Sequence, residues 1–398
     1  SLPWSIMKTM FVLTMADYLA DRYESTGVRG LLAILMLVFL VSMMGAQTIG
    51  GGVIFTTYTG APEWVGIVVM GVTVMLYCMA GGIRSIMLTD LIQGILMVIT
   101  AVVTFFVSLK LGGGLEVINQ KLAAMDLNYV SFPGHNNSYP WQGYVSMIVM
   151  WSFFAIGQPH LFTKFFTMKD HKTMFKAVIL GTLGMWFSAS FIEWCGVTGI
   201  ISFPGLEGKN SDFVVPLILQ GGLNPILSSL MIAGIFSAGM STISSLLLTA
   251  TSAASRDLYQ KILNRNATDE ETLRLSKVIT VCLGVIAIGI GIYKPGSIFQ
   301  IVLFAYGGLG IWAAPIILGM YWRRTTTTAL YVGVISAEIL YVLMVVKFTS
   351  WSFGFNPLIV AWAFAMVVMI VVSLFTKPAS AATISRHFDD LDRRADAH

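Results

Sequence analysis

Charge is scarce in this chain. Asp, Glu, Lys and Arg together make up 11% of its 398 residues, where a soluble domain carries about a quarter. That scarcity excludes a soluble globular protein. The net charge is only +4, and the Lys and Arg residues lie between apolar runs instead of forming a patch, so no nucleic-acid partner is implied. Cysteine is nearly absent. Cys78, Cys195 and Cys282 each fall in a different apolar run, which argues against a disulfide framework and against a Cys–His metal site. Enzyme signatures are missing too: there is no phosphate loop, no GxSxG, no HExxH and no GxGxxG after a strand. The chain reads as a non-enzyme.

What is abundant is apolar sequence. Hydrophobic residues make up 56% of the chain and the mean hydropathy is +0.79. The apolar runs last about 20 residues or more, the length of a bilayer-crossing helix and not the ten or so of a barrel strand. An all-α integral membrane protein of about ten transmembrane helices follows. The expected spans are 28–55, 62–81, 85–110, 141–168, 173–202, 224–255, 272–293, 297–322, 326–347 and 355–376. With the connections assigned alternately to the two sides, only Lys110, Lys121, Lys209, Lys294 and Lys347 of the 24 basic residues fall on one of them. The positive-inside rule then puts both termini in the cytoplasm, in the cell (inner) membrane.

The stretch Met231–Ile262 concentrates small and polar residues in an apolar setting. On a helix the carbonyl of residue i lies near the side chains at i+3 and i+4. Ala238 therefore shares a patch with the hydroxyls of Ser241 and Thr242, and Gly239 allows another backbone to approach. Two readings of that patch are open. The hydroxyls back-bond to the helix, or the three neutral oxygens receive a partly dehydrated alkali cation.

Elsewhere, Gly81–Arg84 reads as a tight turn, followed by Asp90 near the start of the third span. Asp90 is either an interfacial cap or a charge on an ion path. The fourth span carries Trp151, Phe153 and Phe154 before Gly157-Gln158-Pro159-His160. Pro159 has no N–H, so the Ala155 carbonyl is expected to lose its helical partner. A helix broken at midplane is tolerated where it lines a cavity or is packed in protein. This segment is therefore either a solute site or a proline kink with a polar plug. Glu193 and Glu338 are intramembrane acids without an evident partner.

The chain resembles the sodium/solute symporter family over almost its whole length. The residues that carry the resemblance are Ala16-Asp17-Tyr18 through Arg22, Gly81-Gly82 with Thr89-Asp90 and Gln93, Gly157-Gln158-Pro159-His160, Ala238 through Ser244, and Asp257-Leu258-Tyr259. The resemblance implies sodium-coupled symport of a small organic solute, with Na+ as the coupling ion. It implies an inverted-repeat (LeuT-like) transporter fold that lacks its first helices. Residues 1–27 then form a cytoplasmic lead-in, 28–110 core helices 3–5, and 111–140 an extracellular loop. Residues 141–322 form the second repeat, core helices 6–10, followed by two accessory helices in 323–376 and a cytoplasmic tail in 377–398.

On that mapping sodium is bound by Ala238, Ser241 and Thr242, and Asp90 lies on the ion path. Trp151, Phe154 and Gln158 face the solute, with Gln47 and Tyr306 as further candidates. Three oxygens from one helix fall short of the roughly five or six a hard cation takes, which fits a chain expected to lack an unwound first helix. Gln47-Thr48-Ile49-Gly50-Gly51 and Lys294-Pro295 followed by Gly307-Gly308-Leu309 look like the pantothenate permeases, pointing to a small carboxylate. The proline carriers come second, because they show tyrosines where this chain has Met43 and Ala155. A membrane sensor or a passive channel is the remaining alternative.

Overall fold

The structure, a computed structural model, describes residues 14–166, 168 and 170–389; the side chains of 82–85, 153, 154, 163, 165, 166 and 171 fall outside that description. All regular elements among the described residues are helices. Nine are long and apolar enough to cross a membrane. They are α2 (Thr26–Thr59), α3 (Glu63–Gly81), α4 (Ile86–Gly112), the span Lys172–Ser202 within α8 (His171–Ser202), α10 with its extension (Pro225–Leu263), α11 (Asp269–Tyr293), the pair α12–α13 (Ile298–Tyr321), α14 (Thr327–Val346) and α15 (Pro357–Phe375).

The tenth expected span, 141–168, does not form one long helix. It comprises α6 (Trp141–Phe153), a 3-10 turn (Phe154–Gly157) and α7 (Pro159–Phe166). Proline accounts for the interruption, but not in the way the sequence suggests. The Ala155 carbonyl is not left free: the Gln158 N–H, three residues on, donates to it at 3.2 Å, the tighter pattern a 3-10 turn uses.

Helical hydrogen bonding runs without a gap from Glu63 to Gly112, where a tight turn at Gly81–Arg84 was expected. The chain nevertheless reverses there. Gly71 in α3 faces Ile288, and Tyr77 reaches the carbonyl of Met240. Asp90 then lies at Ser244 and Ser245, while Thr100 lies back at Met231. With α10 as the ruler, α4 runs antiparallel to it, and α3 and α4 are separate legs.

The two ends of α2 identify the two ends of the bundle. At its start, Arg29 bridges Asp17 (2.5 Å) and Asp257 (2.9 Å), and Lys261 adds a contact to Asp17 (3.0 Å). At the opposite end, Lys294 pairs with Glu63 at 3.0 Å and Lys209 donates to the Lys294 carbonyl. The first cluster holds the short helix α1 (Met15–Arg22), which is capped by Thr14 and Asp17. The described part of the expected lead-in (1–27) packs into the bundle. Tyr18 and Leu19 are fully buried, and Arg22 donates to the carbonyls of Gly319 and Trp322. Burial works against ionisation of Asp17, but hydrogen bonds and charge from Arg29 and Lys261 outweigh it and hold its carboxyl at about 2.

Between the ends runs the core. Met44 of α2, Leu246 and Leu247 of α10, Leu309 and Trp312 near the α12–α13 junction, and Val334 and Ala337 of α14 are all buried in one cluster. One span differs in detail from the sequence reading. Helix α10 continues past residue 255 as a π-helix over Ala253–Leu263, whose wider turn presents Asp257 and Lys261 to α1 and α2. Of the two intramembrane acids, Glu193 is exposed, whereas Glu338 is buried with neither carboxylate oxygen hydrogen-bonded.

Candidate functional site

Helix α10 begins with Asn224, whose side chain accepts from the Leu227 N–H, and with Pro225 in the first turn. Both residues suit a helix start. Four turns on, Ser241 Oγ and Thr242 Oγ1 each donate to the Ala238 carbonyl at 3.0 Å. The local arithmetic of i+3 and i+4 places these three oxygens together, as the sequence implied. The hydroxyl protons point at the carbonyl, so back-bonding is what the structure shows. Each hydroxyl oxygen keeps lone pairs for another partner. All three residues are half-buried, so the patch has an open side. At Gly239 the approach is tight. An added Cβ would sit 2.6 Å from Met70 Cε and 3.7 Å from the Gln47 carbonyl oxygen, which places the Gln47 backbone beside this part of α10.

Asp90 belongs to the same neighbourhood. Ser244 Oγ lies 3.4 Å from its Oδ1 and Ser245 Oγ 3.4 Å from its Oδ2, and Lys164 Nζ lies 3.7 Å from Oδ2. Ser244 also donates to the Ser241 carbonyl at 2.9 Å. The acid therefore lies about one helical turn from the Ala238–Ser241–Thr242 oxygens, against side chains of another helix. Ser244, Ser245, Lys164 and Tyr77 were not singled out from sequence. The two serines were legible, because they stand at i+3 and i+4 from Ser241. Lys164 and Tyr77, more than 70 residues away along the chain, carried no such signal.

The second group forms at the break in the fourth span. Gln158 is fully buried, and its Nε2 donates to the Tyr306 carbonyl at 3.2 Å. Its Oε1 is buried without a partner. The Trp151 and Tyr306 rings lie 5.2 Å apart at 45°, the tilted contact that aromatic pairs favour. Gly157 makes this assembly possible, since a Cβ there would lie 2.8 Å from the Leu309 carbonyl oxygen and 3.1 Å from the Ala313 nitrogen. The structure thus brings together Trp151, Gln158 and Tyr306. Gln47 sits instead at Gly239, and the Phe154 side chain lies outside the described residues.

Known proteins place this arrangement in context. Residues 4–340 match the model of the sodium:solute symporter family. A sodium/pantothenate symporter of Escherichia coli is 29% identical over 94% of this chain and 77% of its own length. The sodium/proline symporter of the same organism is 26% identical over 97% of this chain and 76% of its own. Among solved structures, a Na+-coupled sialic acid symporter in a substrate-bound outward-open state superposes with a TM-score of 0.75, at 18% identity, covering 95% of this chain and 80% of that one. That likeness gives the chain the LeuT-like transporter fold.

Proposed function

The chain belongs to the sodium:solute symporter family, and from that premise we propose that the solute it carries with sodium is a small organic carboxylate of the pantothenate type. Sodium coupling and an integral membrane location come with the family. The solute and the residues that hold it are our reading. Sodium binds at Ala238, Ser241 and Thr242, and Asp90 draws it along α10. Trp151, Phe154, Gln158 and Tyr306 line the solute site, with Gln47 linking it to the ion patch.

The observation that carries the solute assignment is the orphaned Oε1 of Gln158. A buried acceptor without a donor costs stability until something donates to it. A solute hydroxyl or amide N–H supplies that donor, and a pantothenate-type molecule has both besides its carboxylate. The carboxylate lies toward the start of α7, where the helix dipole favours negative charge. A proline-type amino acid is the second reading, supported by the likeness to proline symporters.

The topological assignments are part of the proposal. The cluster around Arg29 marks the cytoplasmic end in the inner membrane, with both termini on that side. Helices α2–α4 act as core helices 3–5, the segments from α6 to α13 as core helices 6–10, and α14 and α15 as accessory helices. Residues 111–140 form the extracellular loop.

The deciding experiment is uptake of labelled pantothenate and labelled proline by cells expressing the protein, in sodium and in choline medium. Sodium-dependent pantothenate uptake that unlabelled proline does not compete supports the reading. Sodium-driven proline uptake with no pantothenate uptake overturns it.

A further inference from the structure

A cleft of about 940 Å³ opens between the π-helical end of α10 and the first turns of α11, away from the solute site. Its walls carry three cations, Arg256, Lys261 and Arg265, and one acid, Asp269. Lys261 is engaged by Asp17 at 3.0 Å. Asp269 accepts from Gln260 Nε2 at 3.1 Å. The neighbouring acids are also occupied: Glu270 pairs with Arg274, and Glu271 accepts from the Thr268 N–H. Among the described residues, Arg256 and Arg265 have neither an ion-pair nor a hydrogen-bond partner. Arg256 is half-buried. The cleft therefore presents two unpaired guanidinium groups, each with five donors in a planar fork, above a floor that includes the hydroxyl residues Ser252 and Ser255.

We propose that this cleft binds the phosphate headgroup of an anionic membrane lipid. A guanidinium fork matches phosphate oxygens in pairs, which makes arginine suited to this anion. The lip of the cleft identifies the source of the phosphate. Leu273 lines the cleft and is exposed. About a quarter turn round from Leu273, α11 carries exposed Val278, Val281, Val285 and Ile292, the side of a membrane span that faces lipid tails. A basic pocket at the end of two membrane spans, beside the apolar outer side of one of them, fits a whole lipid better than a soluble phosphate. The site is independent of which solute is carried.

The test uses the purified full chain in phosphatidylcholine nanodiscs with and without phosphatidylglycerol, followed by native mass spectrometry and thermal unfolding. Wild-type protein should retain phosphatidylglycerol in preference to phosphatidylcholine and gain several degrees of thermal midpoint from it. The double variant Arg256→Gln/Arg265→Gln should retain it about tenfold less or weaker still. Its midpoint in pure phosphatidylcholine should match wild type, which shows that the variant folds. Lys377→Gln, at the same end of the bundle, should leave retention unchanged. Equal retention by wild type and the double variant overturns the site. If inorganic phosphate in pure phosphatidylcholine raises the midpoint as much as the lipid does, the lipid assignment is overturned.

Discussion

Replacing Arg29 by Met tests what holds the start of α2 to α1 and to the end of α10. The substitution keeps an unbranched apolar stem, shorter than that of arginine, and removes the charge. Asp257, whose side chain is 2% exposed, then loses the ion-pair partner it has at 2.9 Å. Asp17 keeps Lys261 at 3.0 Å, so the unpaired charge falls mainly on Asp257. Leaving one buried charge unpaired costs on the order of 3–5 kcal/mol, against about 1 kcal/mol or less for an exposed pair. Asp17 gives an independent scale. Its carboxyl is held at about 2, against a usual 3.8, and one unit is worth about 1.4 kcal/mol. The cluster therefore stabilises ionised Asp17 by roughly 2 kcal/mol. Because the folded value is depressed, that contribution is complete above pH 3.8 and is lost as the pH falls toward 2. The assay is unfolding of the purified protein at neutral pH for wild type, Arg29→Met, Asp257→Asn and the double variant. Arg29→Met should be the least stable, and Asp257→Asn in that background should recover at least half of the loss. An Arg29→Met protein within about 1 kcal/mol of wild type, or a double variant no better than the single, refutes the idea that the cluster is a buried, mutually dependent unit.

Three further outcomes are expected. Ser241→Ala/Thr242→Ala should raise the sodium concentration for half-maximal uptake by about a hundredfold, two charge-assisted interactions of about 1.5 kcal/mol each, while solute affinity at saturating sodium changes little; unchanged sodium dependence removes the ion patch from α10. Asp90→Asn keeps the shape beside Ser244 and Ser245 and deletes the charge, so coupled uptake should slow about tenfold or more, and near-normal rates would make Asp90 a structural residue. Glu338→Met should raise thermal stability, because a carboxyl group buried without a hydrogen bond costs stability in either protonation state; a clear loss of stability would show that Glu338 has a partner in the membrane-embedded protein.

The sequence by itself determined what depends on neighbours along the chain. The number and length of apolar runs decide that helices cross a bilayer, since about 20 residues at 1.5 Å each span its hydrocarbon core. Residue spacing decides that Ser241 and Thr242 meet at the Ala238 carbonyl, because a helix brings i+3 and i+4 back to i. Pro159 decides that the fourth span breaks. The tertiary structure decided everything that joins distant segments. Arg29 meets Asp257 across 228 residues, and Gln158 meets the Tyr306 carbonyl across 148. Asp90 faces Ser244 because α4 turns back along α10. No periodicity encodes these pairings, because they depend on how side chains of different helices interlock and on where small residues such as Gly157 and Gly239 let backbones approach. The burial of α1 has the same cause. Its pattern is amphipathic, but whether that face meets water or Gly319 and Trp322 is settled only when the end of α13 packs over it.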